Sequence, residues 1–264
     1  MKLTILGASA ARPNGDDASA GYLVQSATTA IVLDCGAGVV SKLQATYAPH
    51  RLDAVVISHL HADHTLDLVA LRYGLKYAPS GLSAPIPLHL PPGGNDFIDR
   101  LGRVFAVGGE AQQEFWPDVL AAREYGDVLA SGTPLVIGNL ALRFAPMPHY
   151  VPVWAIRVEE LTTGRTLTYS ADTGPQGTLA GFAAGSNLLL CEATLLAQAS
   201  GSDPAHWGHL TATEAAEIAT AAGVGQLVLT HVWEELGFDR YLAAARAAFV
   251  GPVALARSGL SFEV

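Results

Sequence analysis

Short apolar runs broken by glycine and proline, rather than long amphipathic stripes, set the pattern of this chain. Residues 2–6 (KLTIL) read as a strand ending at Gly7, and 22–25 and 30–34 as paired strands with a turn at 26–29. Gly36 and Gly38 interrupt the chain before a helix at about 39–47, and 54–58 (AVVIS) is a compact apolar strand. Helices are expected at 66–77 and 95–106, with a short strand at 86–90 inside the Pro- and Gly-rich stretch between them. Strands follow at 135–137, 140–145, 153–159 and 166–170, the last two joined by a turn at 162–165 (TTGR). Further strands are expected at 188–191, 226–230 and 252–256, and a last helix at 239–249. The clearest helix is 211–222: Thr211 and Glu214 have capping-box spacing, and Gly223 suits the left-handed position after its end. Residues 107–133 show no clear period.

Strands with interspersed helices in both halves, and no linker or low-complexity tract, predict one α/β domain over residues 1–264, two sheets face to face with helices outside. Of the 264 residues half are apolar and 15% charged, enough for a large core and too few charges for disorder. The net charge of -9, with no Lys/Arg cluster, counts against a protein that lives on a nucleic-acid backbone. Cys35 and Cys191 match no zinc or redox spacing and read as buried thiols of a reduced compartment. Residues 1–6 are too short for a signal peptide core and no run reaches membrane-spanning length, so a soluble, cytoplasmic protein without a membrane partner is expected.

Chemistry enters at His59-Leu60-His61-Ala62-Asp63-His64, directly after the strand at 54–58. Imidazole nitrogens and carboxylate oxygens are ligands for zinc and related ions. His59 and His61 alternate by two and point the same way in an extended segment, while Asp63 and His64 follow in a turn or helix start aimed nearby. The segment can therefore feed two adjacent ions, and chance alone produces such a pattern in roughly one chain in a few thousand. His149, Asp172 and His231 also stand just past apolar strands, where sites are commonly built on a rigid scaffold.

This chain resembles the metallo-β-lactamase superfamily through HLHADH followed by single His, Asp and His positions. The pieces Leu6-Gly7, Ser19-Ala20-Gly21-Tyr22-Leu23, Leu33-Asp34-Cys35-Gly36, Tyr169-Ser170-Ala171-Asp172-Thr173, Cys191-Glu192-Ala193-Thr194 and Gly208-His209-Leu210-Thr211 are similar to the ribonuclease Z group and its shorter, arm-less bacterial relatives. The resemblance implies a four-layer αββα sandwich. It implies one ion on His59, His61 and His149, a second on Asp63, His64 and His231, and Asp172 bridging them. Two zinc ions suit this set, though manganese or iron could occupy it. Asp34 would orient a loop or ligand, or be a turn residue before Gly36. His209, at the start of the 211–222 helix, would act near the leaving group as general acid or phosphate clamp, with Asp63 as proton acceptor. Glu192 would either support the site by hydrogen bonding or be structural, and His206 and Trp207 could wall the pocket. A homodimer is also suggested by the resemblance.

The long arm that grips tRNA in ribonuclease Z lies between the equivalents of His149 and Asp172. Here those residues are 172 − 149 = 23 positions apart, and a hairpin fills the span. The expected reaction is hydrolysis of a small or cyclic phosphodiester by metal-activated water. The competing readings are tRNA 3′-end processing, with 78–133 replacing the arm, lactone or ester hydrolysis, and metal binding without catalysis. Residues 78–94 could form a lid, a dimer contact or a surface loop.

Overall fold

In the computed structural model, which describes residues 1–79, 81–106, 115–200, 203 and 206–264, the apolar runs become strands of two facing sheets. One sheet runs, in spatial order, Ser261–Glu263, Lys2–Ser9, Gly21–Gln25, Ala30–Leu33, Ala54–Val56, Ile86–Leu90 and Leu120–Glu124, with Ala18–Ser19 beside Lys2–Ser9. The other runs Val253–Leu255, Leu227–Thr230, Leu188–Glu192, Thr166–Tyr169, Val153–Glu160, Leu140–Met147 and Leu135–Ile137.

The strand runs are apolar at nearly every position because both faces of each sheet are covered. In the first sheet Ile5, Tyr22, Val24, Ile31, Leu33 and Val56 point into the space between the sheets. The alternating Leu6, Leu23, Val32, Val55 and Ile57 point outward, against Val39 and Leu43 of helix Val39–Thr46 and Leu68, Leu71 and Leu75 of helix Asp67–Tyr77. On the far side, helix Ala212–Ala222 lays Ala212, Ala215, Ala216 and Ala219 on the second sheet, small side chains at helical spacing that let it approach closely. Helix Phe238–Ala248 packs beside it through Tyr241 and Ala245. The result is the expected α/β/β/α layering, and the capping box of Thr211 and Glu214 and the left-handed Gly223 are both present. Among the described residues, no helix is long and apolar enough to cross a membrane.

Some elements differ from expectation, each for a local reason. The strand before the histidine motif stops at Val56 rather than residue 58, because the Ser58 amide leaves the ladder to donate to Asp34. Within 107–133, Leu120–Glu124 is a half-exposed edge strand and Gly126–Ser131 a short helix, so neither carries a strong apolar period; residues 107–114 lie outside the described residues. The unexpected strand Ser261–Glu263 owes its place to pairing with Lys2–Ser9 rather than to its own side chains.

Strand direction positions the site. Ala30–Leu33 and Ala54–Val56 run parallel, as do Thr166–Tyr169, Leu188–Glu192 and Leu227–Thr230, so their C-terminal ends converge on one edge of the sandwich. Loop 34–36 clasps the histidine segment there: Cys35 N–H donates to His64 O at 2.8 Å and Asp67 N–H to Cys35 O at 3.0 Å. A Cβ on Gly36 would lie 1.8 Å from the Asp63 carbonyl oxygen, a backbone atom that cannot swing away. Gly36→Ala should therefore cost about 1–3 kcal/mol, read as a fall of several degrees in thermal midpoint together with weaker binding of added zinc.

Candidate metal centre

The seven expected ligands come from four separate segments and meet at this edge. His59 ends the loop after Ala54–Val56, His61 precedes the one-turn helix Ala62–Thr65, and Asp63 and His64 lie on that turn. Ligand-capable atoms of His59, His61, His149 and Asp172 lie within 4.8 Å of one another, as do those of Asp63, His64 and His231. Asp172 lies between the groups, its oxygens 3.8 Å from His59 Nε2, 3.7 Å from His149 Nε2, 3.5 Å from His64 Nε2 and 3.6 Å from His231 Nε2.

A buried carboxylate sets the orientation of the first histidines. Asp34 is fully buried, and its Oδ1 accepts the Ser58 N–H at 2.7 Å. Its Oδ2 accepts the Ser58 hydroxyl at 2.7 Å, His64 Nδ1 at 2.8 Å and the Tyr169 hydroxyl, from the opposite sheet, at 2.8 Å. Because the Ser58 hydroxyl donates to Asp34, its lone pair is left to receive the His59 Nδ1 proton at 3.0 Å. Both rings are thereby fixed with Nδ1 committed and Nε2 turned toward the cluster. His149 reaches the same state by donating Nδ1–H to the Gly208 carbonyl at 2.7 Å.

Glu192 plays the matching part for the other half. It is fully buried; Oε1 accepts the Thr173 N–H at 2.7 Å and His209 Nδ1 at 2.9 Å, and Oε2 accepts the Thr194 hydroxyl at 2.8 Å. Thr194 in turn receives the His231 Nδ1 proton at 2.8 Å, which aims His231 Nε2 at Asp63 Oδ2, 3.1 Å away. The Ala11 N–H donates to that same oxygen at 2.9 Å.

Backbone strain gathers at the site. The four described non-glycine residues with positive φ are Ala11 (57°), Asp34 (58°), Ala171 (50°) and His231 (53°), each a site residue or beside one. Each such residue costs about 1–3 kcal/mol and persists only where its surroundings over-determine it.

The donor set fits divalent cations. His59 Nε2 and His149 Nε2 face His61 Nδ1 at 3.1 and 3.3 Å, nitrogens whose lone pairs repel unless a cation or proton lies between them. His64 Nε2 and Asp172 Oδ1 are buried and make no hydrogen bond among the described residues. Burial, reinforced by the charge of His64, holds His59 well below the ordinary histidine range. Burial opposes charge on His64 too, but Asp172 and Asp34 outweigh it and push its pKa well up. Burial would raise Asp172 and Asp63, yet their histidine neighbours hold both below the usual carboxylate range. His209 is disfavoured as a cation by burial, but the adjacent Glu192 carboxylate lifts it to about 9.

His209 joins the cluster: its ring stacks on His231 at 15° with centroids 5.7 Å apart and meets His149 edge-on at 4.9 Å. His206 lies exposed beside Asp203, and Trp207 is half-buried. Sequence reasoning missed Ser58, Tyr169, Thr194 and Ala11. Tyr169 and Thr194 stand in segments that carried the family resemblance, but nothing local marks a hydroxyl as a relay, and Ala11 acts through its backbone amide alone.

Comparison with known proteins places this geometry. The chain is 30% identical over 100% of its length, and 100% of the relative, to "Probable metallo-hydrolase YhfI" of Bacillus subtilis (strain 168). The crystal structure of that metallo-β-lactamase fold protein matches with a TM-score of 0.83 over 99% of each chain, at 27% identity. A ribonuclease Z of Bradyrhizobium sp. (strain ORS 278) is 30% identical, covering 94% of this chain and 95% of its own. A diphosphatase from the PhnP family shares the fold at 15% identity, with a TM-score of 0.73 covering 100% and 97% of the two chains. The family described as the beta-lactamase superfamily domain matches residues 29–232, a span that holds Asp34 and every candidate ligand from His59 to His231; the chain belongs to the metallo-β-lactamase superfamily, a metallo-hydrolase fold with a His/Asp cluster that could bind metal.

Proposed function

We propose that the protein is a dinuclear metal-dependent phosphodiesterase acting on a small or cyclic phosphodiester. The observation that carries this reading is the His209–Glu192 pair standing beside a two-part ligand cluster. His59, His61 and His149 would hold one ion, Asp63, His64 and His231 the other, and Asp172 would bridge them; zinc suits this mixture of imidazole and carboxylate. Bound there, the ions would acidify water at neutral pH and stabilise negative charge on an ester oxygen.

The chain's own groups supply the proton transfers. Asp63, kept ionised by His231 and His64, accepts the proton of the attacking water as its oxygen bonds to phosphorus. His209 has Nδ1 committed to Glu192, leaving Nε2 on the opposite edge of the ring to donate its proton as the bond from phosphorus to the leaving oxygen breaks. A side chain about one-fifth exposed, set between His149 and His231, can reach substrate without being solvated as a surface group would be. The overall charge of -9 and the 23-position interval from His149 to Asp172 support a small substrate.

A second reading, a ribonuclease Z-like endonuclease acting on tRNA 3′ ends, is supported by the 30% identity to a ribonuclease Z. Steeply salt-dependent RNA binding would favour it.

Zinc-loaded protein should hydrolyse bis(p-nitrophenyl) phosphate, and His61→Ala or a chelator should lower turnover by about 100-fold or more. No turnover with two ions bound would refute the phosphodiesterase reading. Because His209 is held at about 9 by Glu192, its donor form is present below that pH and lost above it. Glu192→Gln removes the carboxylate, so the alkaline limb of kcat/KM should move down by about one pH unit or more. An unmoved limb would remove His209 as the acid. Metal binding should also displace the proton that Asp172 and Asp34 hold on His64. Calorimetry in buffers of different ionisation enthalpy should detect its release, with affinity rising as pH rises toward the elevated His64 pKa.

A further inference from the structure

Beside the ligand cluster stands an aromatic ring that the proposed chemistry does not use. Tyr150 is 67% exposed, yet its ring centroid is 5.0 Å from that of His149 and 5.7 Å from that of His209. Single exposed tyrosines are common and need no explanation. This one differs in how firmly it is held. Its loop is bracketed by Pro148 and Pro152, which restrict the backbone on both sides. The Gly174 N–H donates to the Pro148 carbonyl at 2.7 Å, and His149 Nδ1 donates to the Gly208 carbonyl at 2.7 Å. The ring lies directly over Gly208, where a Cβ would approach within 2.7 Å of it. At the other rim, the face of Trp233 is occupied by Arg12, whose guanidinium carbon is 5.6 Å from the ring centroid.

We propose that Tyr150 is a stacking platform for an aromatic group, a nucleobase or aryl ring, carried on the leaving-group side of a phosphate ester bound at the ligand cluster. The position follows from its neighbours: it adjoins His209, the proposed acid for the departing oxygen, and His149, which would hold one ion. Stacking suits a pre-positioned ring because little side-chain freedom remains to be lost when the ligand arrives. A platform of this kind recognises the π-face rather than one base, so it sets a preference for aromatic esters without reading their identity. The inference rests on the phosphoester reading above.

The test is binding of adenosine 5′-monophosphate and of methyl phosphate to zinc-loaded protein, compared among wild type, Tyr150→Leu and Tyr150→Phe. Wild type should bind the nucleotide about tenfold or more tightly than methyl phosphate. Tyr150→Leu should lose most of that advantage with methyl phosphate affinity and zinc content unchanged, and Tyr150→Phe should keep it. Equal wild-type affinity for the two ligands would overturn the platform alone. So would a parallel loss of both in Tyr150→Leu, which would make Tyr150 a support for His149, or no change in either. Failure of wild type to bind either phosphate would overturn the phosphoester reading and the platform with it.

Discussion

A carboxylate shut away from water must find all its partners inside the protein, because an uncompensated buried charge is among the most costly features a fold can contain. Asp34 meets this demand with four donors: the amide and hydroxyl of Ser58, His64 Nδ1 and the Tyr169 hydroxyl. Each bond to a charged acceptor contributes about 1.5–3 kcal/mol, but its more important effect is directional. Satisfying Asp34 sets the orientations of the His59 and His64 rings and so fixes which nitrogens face the ligand cluster. Tyr169 comes from the opposite sheet, so the arrangement exists only when the sandwich is closed.

Glu192 repeats the device on the other side, with a chemical difference. Asp34 wires two candidate ligands, whereas Glu192 wires one candidate ligand, His231 through Thr194, and one candidate acid, His209 directly. A candidate ligand and the candidate acid are thus anchored on one side chain, which would keep the acid in register with any ions bound there. Glu192 accepts from the backbone of Thr173 as well as from the side chains of Thr194 and His209.

The strained residues belong to the same logic. Asp34 and His231 are turned inward by left-handed backbone, Ala171 does the same for the residue that follows it, and Ala11 turns to offer its amide to Asp63. A strand end that continued in extended geometry would carry these side chains along the sheet rather than into the gap between sheets. The well-packed core, apolar on both faces of each sheet, is what holds such conformations in place.

Residue type and local spacing were enough to identify the strands that bury both faces, the capped helix at Ala212–Ala222 and the seven candidate ligands, because each announces itself within a few neighbouring positions. HLHADH after an apolar strand is a local signal, and so is Thr211 three residues before Glu214. Other features were settled by pairing across the chain. Ser261–Glu263 is a strand because Lys2–Ser9 offers an edge, and the Ser58 amide leaves its strand because Asp34 is near. Tyr169 meets Asp34 across 135 positions, and Tyr150 stands over Gly208 because two loops from different strands meet there. What a side chain can do chemically is written in its type; which partner it has, and therefore which tautomer or orientation it adopts, depends on segments that only tertiary packing brings together.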